Sequence, residues 1–150
     1  MIEFKRILYP VDLSESSAKM VPYVQSVAKK FKSKIHILFA ARAFDYFTSM
    51  YVPHPSISRF AKEIIEGAEK RLYEFVDEHF SEFANTKTIV VAGDASEEII
   101  NYIEDQRIDL VIMGTHGRKG MDKIIFGSVA ERVLKTSPVP VMVVNPHKTD

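Results

Sequence analysis

The pattern of apolar and polar residues divides the chain into two kinds of segment. Short, nearly continuous apolar runs of strand length are separated by longer segments in which apolar residues recur every three or four positions. The short runs predict five buried strands, and the longer spacing is typical of amphipathic helices. Because strands and helices alternate throughout, the sequence predicts a doubly wound α/β domain with a parallel sheet and helices on both faces.

The five predicted strands share a high content of Val, Ile and Leu. They are RILYPVD at 6–12, KIHILFA at 34–40, TKTIVVAG at 86–93, IDLVIMG at 108–114 and VPVMVV at 139–144. We expect Pro10 to stop the first strand, because proline donates no backbone hydrogen bond. The fourth strand is apolar on both faces, as an inner parallel strand should be.

The helical segments carry signals at their starts. Serines open the first helix, within 14–31, and are expected to cap it. Pro22 either kinks this helix or moves its start later. The second helix has an apolar stripe comprising Phe60, Ile64, Ala68, Leu72, Phe75 and Phe80. The last two helices each open with a predicted capping box, Asp94 with Glu97 and Ser128 with Glu131.

Composition narrows the class of protein. A length of 150 residues predicts one domain, 1–150. Lysine plus arginine equals aspartate plus glutamate, 20 each, which argues against a nucleic-acid-coating protein. There is no cysteine, so disulfides and thiolate zinc sites are excluded. We expect no membrane span and no signal peptide, since the N-terminus has the pattern of a first strand, and therefore a cytoplasmic location.

A glycine-rich segment, GTHGRKGMDKIIFGS, follows the fourth strand at 114–128. Gly114 and Gly117 let backbone N–H groups approach an anion, and Gly127 with Ser128 begins a helix whose N-terminus attracts one. The segment is neither a Walker loop nor a dinucleotide G-x-G-x-x-G fingerprint. From spacing alone, a phosphate cradle and a simple turn followed by a helix cap both remain open.

The same residues resemble a known family. Gly114, two residues, Gly117, nine residues, Gly127 and Ser128 are similar to the ATP-binding signature of the universal stress protein family. RILYPVDLSESS, VVAGDASEEII and GSVAERVLKTSPVPVMVV resemble other parts of that family, so the resemblance covers the whole chain. It implies a five-stranded sheet of order 3-2-1-4-5, with the ligand at the switch point between the first and fourth strands. It also implies a bound adenine nucleotide, whether ATP, AMP or another, and a homodimer formed through Val141–Val144. We expect Mg²⁺ with the nucleotide, because ATP usually arrives with it.

The resemblance assigns roles to individual residues. Asp12 would hydrogen-bond the ribose, Pro10 and Val11 would line the base and sugar, and Ala40 would meet adenine through its backbone. The residues expected around the phosphates and sugar are Gly114, Thr115, His116, Gly117, Arg118, Gly127, Ser128 and Val129. Asp12 could instead cap the first helix turn. No catalytic or metal-ligating residue is predicted, and His116 lacks an evident carboxylate partner.

Several functions fit these features. The first is a nucleotide-dependent regulatory or stress-response protein that ATP switches between conformations. A slow ATPase or phosphotransferase is the enzymatic alternative, but no base or metal-binding carboxylate pair accompanies Arg118 and Lys119. A flavin carrier would place glycine after the first strand, where this chain has serines, and a ligand-free interaction protein would not need the glycine signature. The segment Arg42–Ser56 could act as a lid, contact a partner or pack on the second helix.

Overall fold

The computed structural model describes residues 1–41, 55–115 and 127–147. The five strands are β1 (Arg6–Val11), β2 (Lys34–Ala41), β3 (Thr86–Ala92), β4 (Leu110–Gly114) and β5 (Val141–Val144). The helices among these residues are α1 (Glu15–Phe31), α2 (Pro55–Phe80), α3 (Ala95–Asp105) and α4 (Ser128–Thr136). None of the helices in the described part of the chain is long and apolar enough to cross a membrane.

All strands form one parallel sheet of order β3-β2-β1-β4-β5. Pairing runs from Arg6 with Lys34 to Val11 with Phe39 between β1 and β2, and Ile7 pairs with Leu110 between β1 and β4. The chain winds outward in one direction through β2 and β3 and in the other through β4 and β5. The predicted fold, strand order and switch point between β1 and β4 are therefore confirmed.

Two apolar layers hold the helices on the sheet. Alternate residues of β1, such as Ile7 and Tyr9, pack against α1 and α2 on one face. Leu8, between them, belongs to a second cluster with α3 and α4 on the other face. This alternation follows from the two-residue period of a strand, and its consequence is that both faces of β1 are buried.

Pro10 and Pro22 both lie inside regular elements, β1 and α1. β1 runs through Pro10, which pairs with Leu38, and the lost hydrogen bond is tolerated one residue from the strand's end. α1 begins at Glu15 and passes through Pro22, so of the two alternatives left open for this proline, the later helix start is wrong. Because Met20 and other residues of the first turns are buried, packing outweighs the proline's cost of about 3 kcal/mol.

One predicted cap is confirmed and one is wrong. Asp94 caps α3, its carboxylate accepting from the Glu97 amide at 3.1 Å. The N-cap of α4 is Gly127 rather than Ser128, and glycine has no side chain with which to cap the helix. The Gly127 amide donates to the Thr115 carbonyl, and this anchor fixes the helix start so that Ser128 is the first helical residue.

The apolar stripe predicted for α2 is only partly buried. Leu72 and Phe80 lie in the core, whereas Phe60 is 50% exposed near the helix's beginning. The stripe therefore describes the C-terminal part of α2, which packs on the sheet, better than its N-terminal part.

A buried histidine lies within β2. His36 is 2% exposed, and its Nδ1 lies 2.6 Å from the Tyr102 hydroxyl of α3. Burial lowers the pKa of His36 to about 4, with smaller contributions from the cations Lys34, Lys87 and Arg6. Its Nε2 has no hydrogen-bond partner among the described residues, so the imidazole is a neutral part of the interior.

Candidate functional site

The candidate site lies where β1 and β4 end, at the carboxyl edge of the sheet. Asp12 directly follows β1, and Gly114 is the last residue of β4. Ile7 pairs with Leu110, so counting four residues along both strands brings Val11 level with Gly114. The chain leaves β1 toward α1 on one face and leaves β4 toward α4 on the other. In doubly wound proteins, ligands bind at such a point of divergence.

The two oxygens of the Asp12 carboxylate have different environments. Oδ1 accepts three hydrogen bonds, from the Ser14 amide at 2.9 Å, the Ser14 hydroxyl at 2.6 Å and the Ser17 hydroxyl at 2.9 Å. Oδ2 is buried and has no hydrogen-bond partner among the described residues. Buried carboxylate oxygens are normally paired. Asp12 therefore holds the turn before α1 with one carboxylate oxygen, while the N-cap position itself belongs to Ser14.

The turn after Asp12 has an unusual backbone. Leu13 has a φ of 60°, in the left-handed region of backbone conformation that residues other than glycine rarely adopt. The amide of Ser14 then points back at Asp12 Oδ1, which forms an Asx turn. The turn places α1 so that its first residues close over Asp12, and the strain it carries is of order 1–3 kcal/mol.

Tyr9 fixes the same turn from inside the core. Its hydroxyl donates to the Ser17 carbonyl oxygen, and the ring is fully buried. Burial raises the pKa of Tyr9 well above its ordinary value. The Asp12 charge also raises it, while the hydrogen bond to Ser17 acts in the opposite direction. Tyr9 is therefore a neutral donor that anchors Ser17 beside Asp12.

Thr115 and Gly127 form the opposite side of the site. The amide of Thr115 donates to the Val144 carbonyl at 2.9 Å, and its own carbonyl accepts from the Gly127 amide. A Cβ on Gly127 would stand 3.1 Å from that Thr115 carbonyl oxygen. The φ of −53° at Gly127 is open to any residue, so backbone conformation does not call for glycine. The close approach of the two backbones is what favours glycine here.

The first turn of α4 presents backbone donors. The first bond inside the helix runs from the Glu131 amide to the Gly127 carbonyl at 2.9 Å. The amides of residues 128–130 therefore have no acceptor within the helix. The Ser128 side chain is exposed beside them. These amides and the positive end of the helix dipole favour an anion.

Most of the predicted site residues in the described chain lie on this edge. Val11 and Thr115 are buried, and four others are half-buried: Pro10, Ala40, Gly114 and Val129. Ala40 lies one residue beyond Phe39, the last partner of β1, so no strand flanks it on that side. Val129 packs against the cluster of α3 and α4. His116, Gly117, Arg118 and residues 42–54 lie outside the described residues.

Ser14 and Ser17 were missed as site residues by the sequence analysis. They stand two and five residues after Asp12, a spacing that lets both hydroxyls return to its carboxylate. Aspartate followed at the second position by serine is an Asx-turn signal that could have found the first of them. Within the described ranges, no three His, Cys, Asp or Glu side chains converge as possible metal ligands.

The fold and the site together define a doubly wound α/β protein of the kind that binds ligands at the strand carboxyl ends. The chain belongs to the universal stress protein family, whose model matches residues 3–145.

Individual relatives agree with this assignment. Universal stress protein MJ0577 of Methanocaldococcus jannaschii is 30% identical over 156 residues, covering 95% of this chain and 96% of that protein. The structure of MJ0577 superposes with a TM-score of 0.82, over 96% of this chain and 97% of that one.

Two more distant solved structures share the fold and hold nucleotides. A universal stress protein in complex with cAMP has a TM-score of 0.62 at 19% identity and covers 97% of this chain and 99% of that one. The Archaeoglobus fulgidus universal stress protein in complex with dAMP has a TM-score of 0.68 at 16% identity. That alignment covers 96% of this chain and all of the other. At these identities the likeness establishes the fold alone.

Proposed function

We propose that this protein binds an adenine nucleotide, ATP in the cell, in the crevice between the ends of β1 and β4. The observation that carries the proposal is the buried Oδ2 of Asp12 at the switch point, which has no hydrogen-bond partner among the residues that the structure describes. A buried acceptor without a donor is costly, and a ligand that supplies the donor removes that cost.

The two sides of the crevice complement the two ends of a nucleotide. The Asp12 carboxylate accepts hydrogen bonds, which suits the donor hydroxyls of a ribose and repels phosphate. The amides in the first turn of α4, which have no acceptor within the helix, can donate hydrogen bonds to phosphate oxygens. We therefore orient the sugar toward Asp12, the phosphates toward Gly127 and Ser128, and the adenine toward the backbone of Ala40.

The remaining site residues keep their proposed roles. Pro10 and Val11 line the base and sugar, while Gly114, Thr115 and Val129 complete the wall beside the phosphates. His116, Gly117 and Arg118 complete the phosphate cradle in this proposal, which places the chain in the ATP-binding branch of its family. Mg²⁺ enters with the phosphates, as it usually does with ATP.

The nucleotide-bound relatives support this choice of ligand. The proteins solved with cAMP and with dAMP share the sheet and helices described above. Both ligands carry an adenine, a sugar and a phosphate, the three groups that the crevice is proposed to accommodate.

The activity we propose is regulatory rather than enzymatic. ATP shifts the protein between conformations, which requires that it bind one of them more tightly. Hydrolysis is expected to be slow or absent, and a turnover above about 1 s⁻¹ would favour the ATPase alternative. A cytoplasmic location remains our prediction.

A homodimer formed through β5 is part of the proposal. β5 lies at the edge of the sheet, where it pairs with β4, and Val141, Met142 and Val143 are half-buried. Apolar edge strands invite pairing with another chain. Sedimentation at micromolar concentration should give twice the mass of the chain, and a monomeric mass would contradict this assignment.

Nucleotide binding is tested by mass spectrometry of small molecules released from freshly purified protein, followed by calorimetric titration with ATP and Mg²⁺. We expect an adenine nucleotide in the released fraction and saturable binding by the emptied protein. FMN serves as the comparison ligand for the flavin alternative. Protein that carries no adenine nucleotide and shows neither heat of binding nor thermal stabilisation with ATP would contradict the proposal.

A further inference from the structure

We propose that Ser14 and Ser17 are positioning residues for nucleotide binding, because they hold one oxygen of Asp12 so that the other faces the sugar. This inference rests on the proposed function. It adds to that function a specific reason why the carboxylate has a fixed orientation before the ligand arrives.

The hydroxyl of Ser14 makes its hydrogen bond to Asp12 rather than to the helix. It occupies the N-cap of α1, where a serine hydroxyl normally accepts from a helix amide. No such bond is present, and the hydroxyl donates to Asp12 Oδ1 at 2.6 Å instead. A residue that only stabilised the helix would keep its capping bond. The hydroxyl therefore acts on Asp12 rather than on the helix end.

The donors around Asp12 all converge on the same oxygen. The terminal torsion of an aspartate is soft and has two nearly equivalent settings, so a free carboxylate rotates readily. Three donors on Oδ1 restrict this rotation, so the position of Oδ2 is also fixed. The arrangement is preorganised, because the ligand need not order the carboxylate when it binds.

Ser17 is itself held rigidly. Its side chain is buried, its carbonyl accepts from the Tyr9 hydroxyl, and its amide donates to the Ser14 carbonyl at 3.0 Å. Its hydroxyl oxygen also lies 3.3 Å from the Asp12 amide, which donates to it. Ser17 thus ties the direction of the carboxylate to the core of the domain.

The test compares ATP with 2′,3′-dideoxy-ATP, which lacks both sugar hydroxyls, by calorimetry on the full chain. Wild type should bind ATP at least roughly tenfold more tightly than dideoxy-ATP, because only ATP has sugar hydroxyls that can donate to the charged Asp12 carboxylate. Ser14→Ala combined with Ser17→Ala should weaken ATP binding about tenfold and leave dideoxy-ATP binding unchanged. Ser14→Thr keeps the hydroxyl and should retain the wild-type preference.

Ser26→Ala is the matched control, since Ser26 is an exposed serine of the same helix. Thermal unfolding without ligand checks that each variant is folded, and Ser14→Ala alone provides the measurement should the double variant unfold. A purely structural role would weaken both ligands equally.

The outcomes separate the two proposals. A double variant that keeps the wild-type preference for ATP overturns the positioning role and leaves nucleotide binding intact. A wild type that binds both ligands equally overturns the contact between Asp12 and the sugar, and the positioning role with it. A wild type that binds neither overturns the proposed function itself.

Discussion

Exchanging Asp12 for asparagine changes a single acceptor at the centre of the proposed site. The substitution conserves shape and removes the charge. The three donors on Oδ1 require an oxygen at that position, so they orient the asparagine with its amide nitrogen where Oδ2 stood. The group that faces the sugar is thereby converted from an acceptor into a donor.

The expected loss follows from this inversion. A hydrogen bond to a charged acceptor contributes about 1.5–3 kcal/mol, whereas a neutral one contributes about 0.5–1.5 kcal/mol. The new amide can still donate to a sugar oxygen, so we expect a net loss of roughly 1.5 kcal/mol, or about tenfold in the Kd for ATP. The free energy of unfolding should change by only about 1 kcal/mol, because the three bonds to Oδ1 persist with a neutral acceptor.

The assay is calorimetric titration of ATP with Mg²⁺ into wild type and Asp12→Asn, with urea unfolding of both proteins. Asp77→Asn is the matched control, because Asp77 is exposed on α2. Asp12→Ala should be less stable than Asp12→Asn, since it leaves all three donors without their acceptor. An Asp12→Asn protein that unfolds like wild type and binds ATP within about twofold of it would refute the assignment of Asp12 to the sugar.

Three further predictions concern other parts of the molecule. Acidification from pH 7 to 4.5 should cost about 2 kcal/mol through His36. Its pKa is about 4 when folded and 6.5 when unfolded, so the stability present above 6.5 is lost as pH falls, and His36→Gln should remove this part of the dependence in urea titrations. Gly127→Val should weaken ATP binding more than about tenfold, because its Cβ crowds the Thr115 carbonyl and displaces the amides that face phosphate. Asp94→Ala should lower the free energy of unfolding by about 1 kcal/mol through loss of the α3 cap, with the Kd for ATP unchanged.

Each of these has an outcome that contradicts it. Equal acid sensitivity of wild type and His36→Gln would show that His36 does not carry the pH dependence. Gly67→Ala controls for Gly127→Val, because nothing lies within 4 Å of its added Cβ; it should stabilise α2 by about 0.5–1 kcal/mol. If Gly127→Val bound ATP as tightly as Gly67→Ala, the close approach of Gly127 to Thr115 would not be required for binding. Weaker ATP binding by Asp94→Ala would show that the α3 cap reaches the site.

The sequence predicted which residues lie at the carboxyl edge of the sheet better than it predicted the hydrogen bonds that they make. It placed Asp12 at the end of a strand and Gly127 at the start of a helix, and the structure has them directly after β1 and directly before α4. It assigned the second capping box to Ser128, which proved wrong because the hydrogen bond between the Gly127 amide and Thr115 sets the helix start. It expected serines to cap α1, whereas the Ser14 hydroxyl turns to Asp12.

By itself, the sequence determined the alternation of strands and helices, because the periods of apolar residues reflect which side of each element avoids water. The order of the strands came from resemblance to the universal stress protein family, and the structure confirmed it. Tertiary structure alone decided which partner each polar group took. It directed two serines to one oxygen of Asp12, left the other oxygen without a partner in the described part of the chain, and buried His36 beside Tyr102. Such choices depend on distances set by packing between segments far apart in the chain, and no local pattern encodes them.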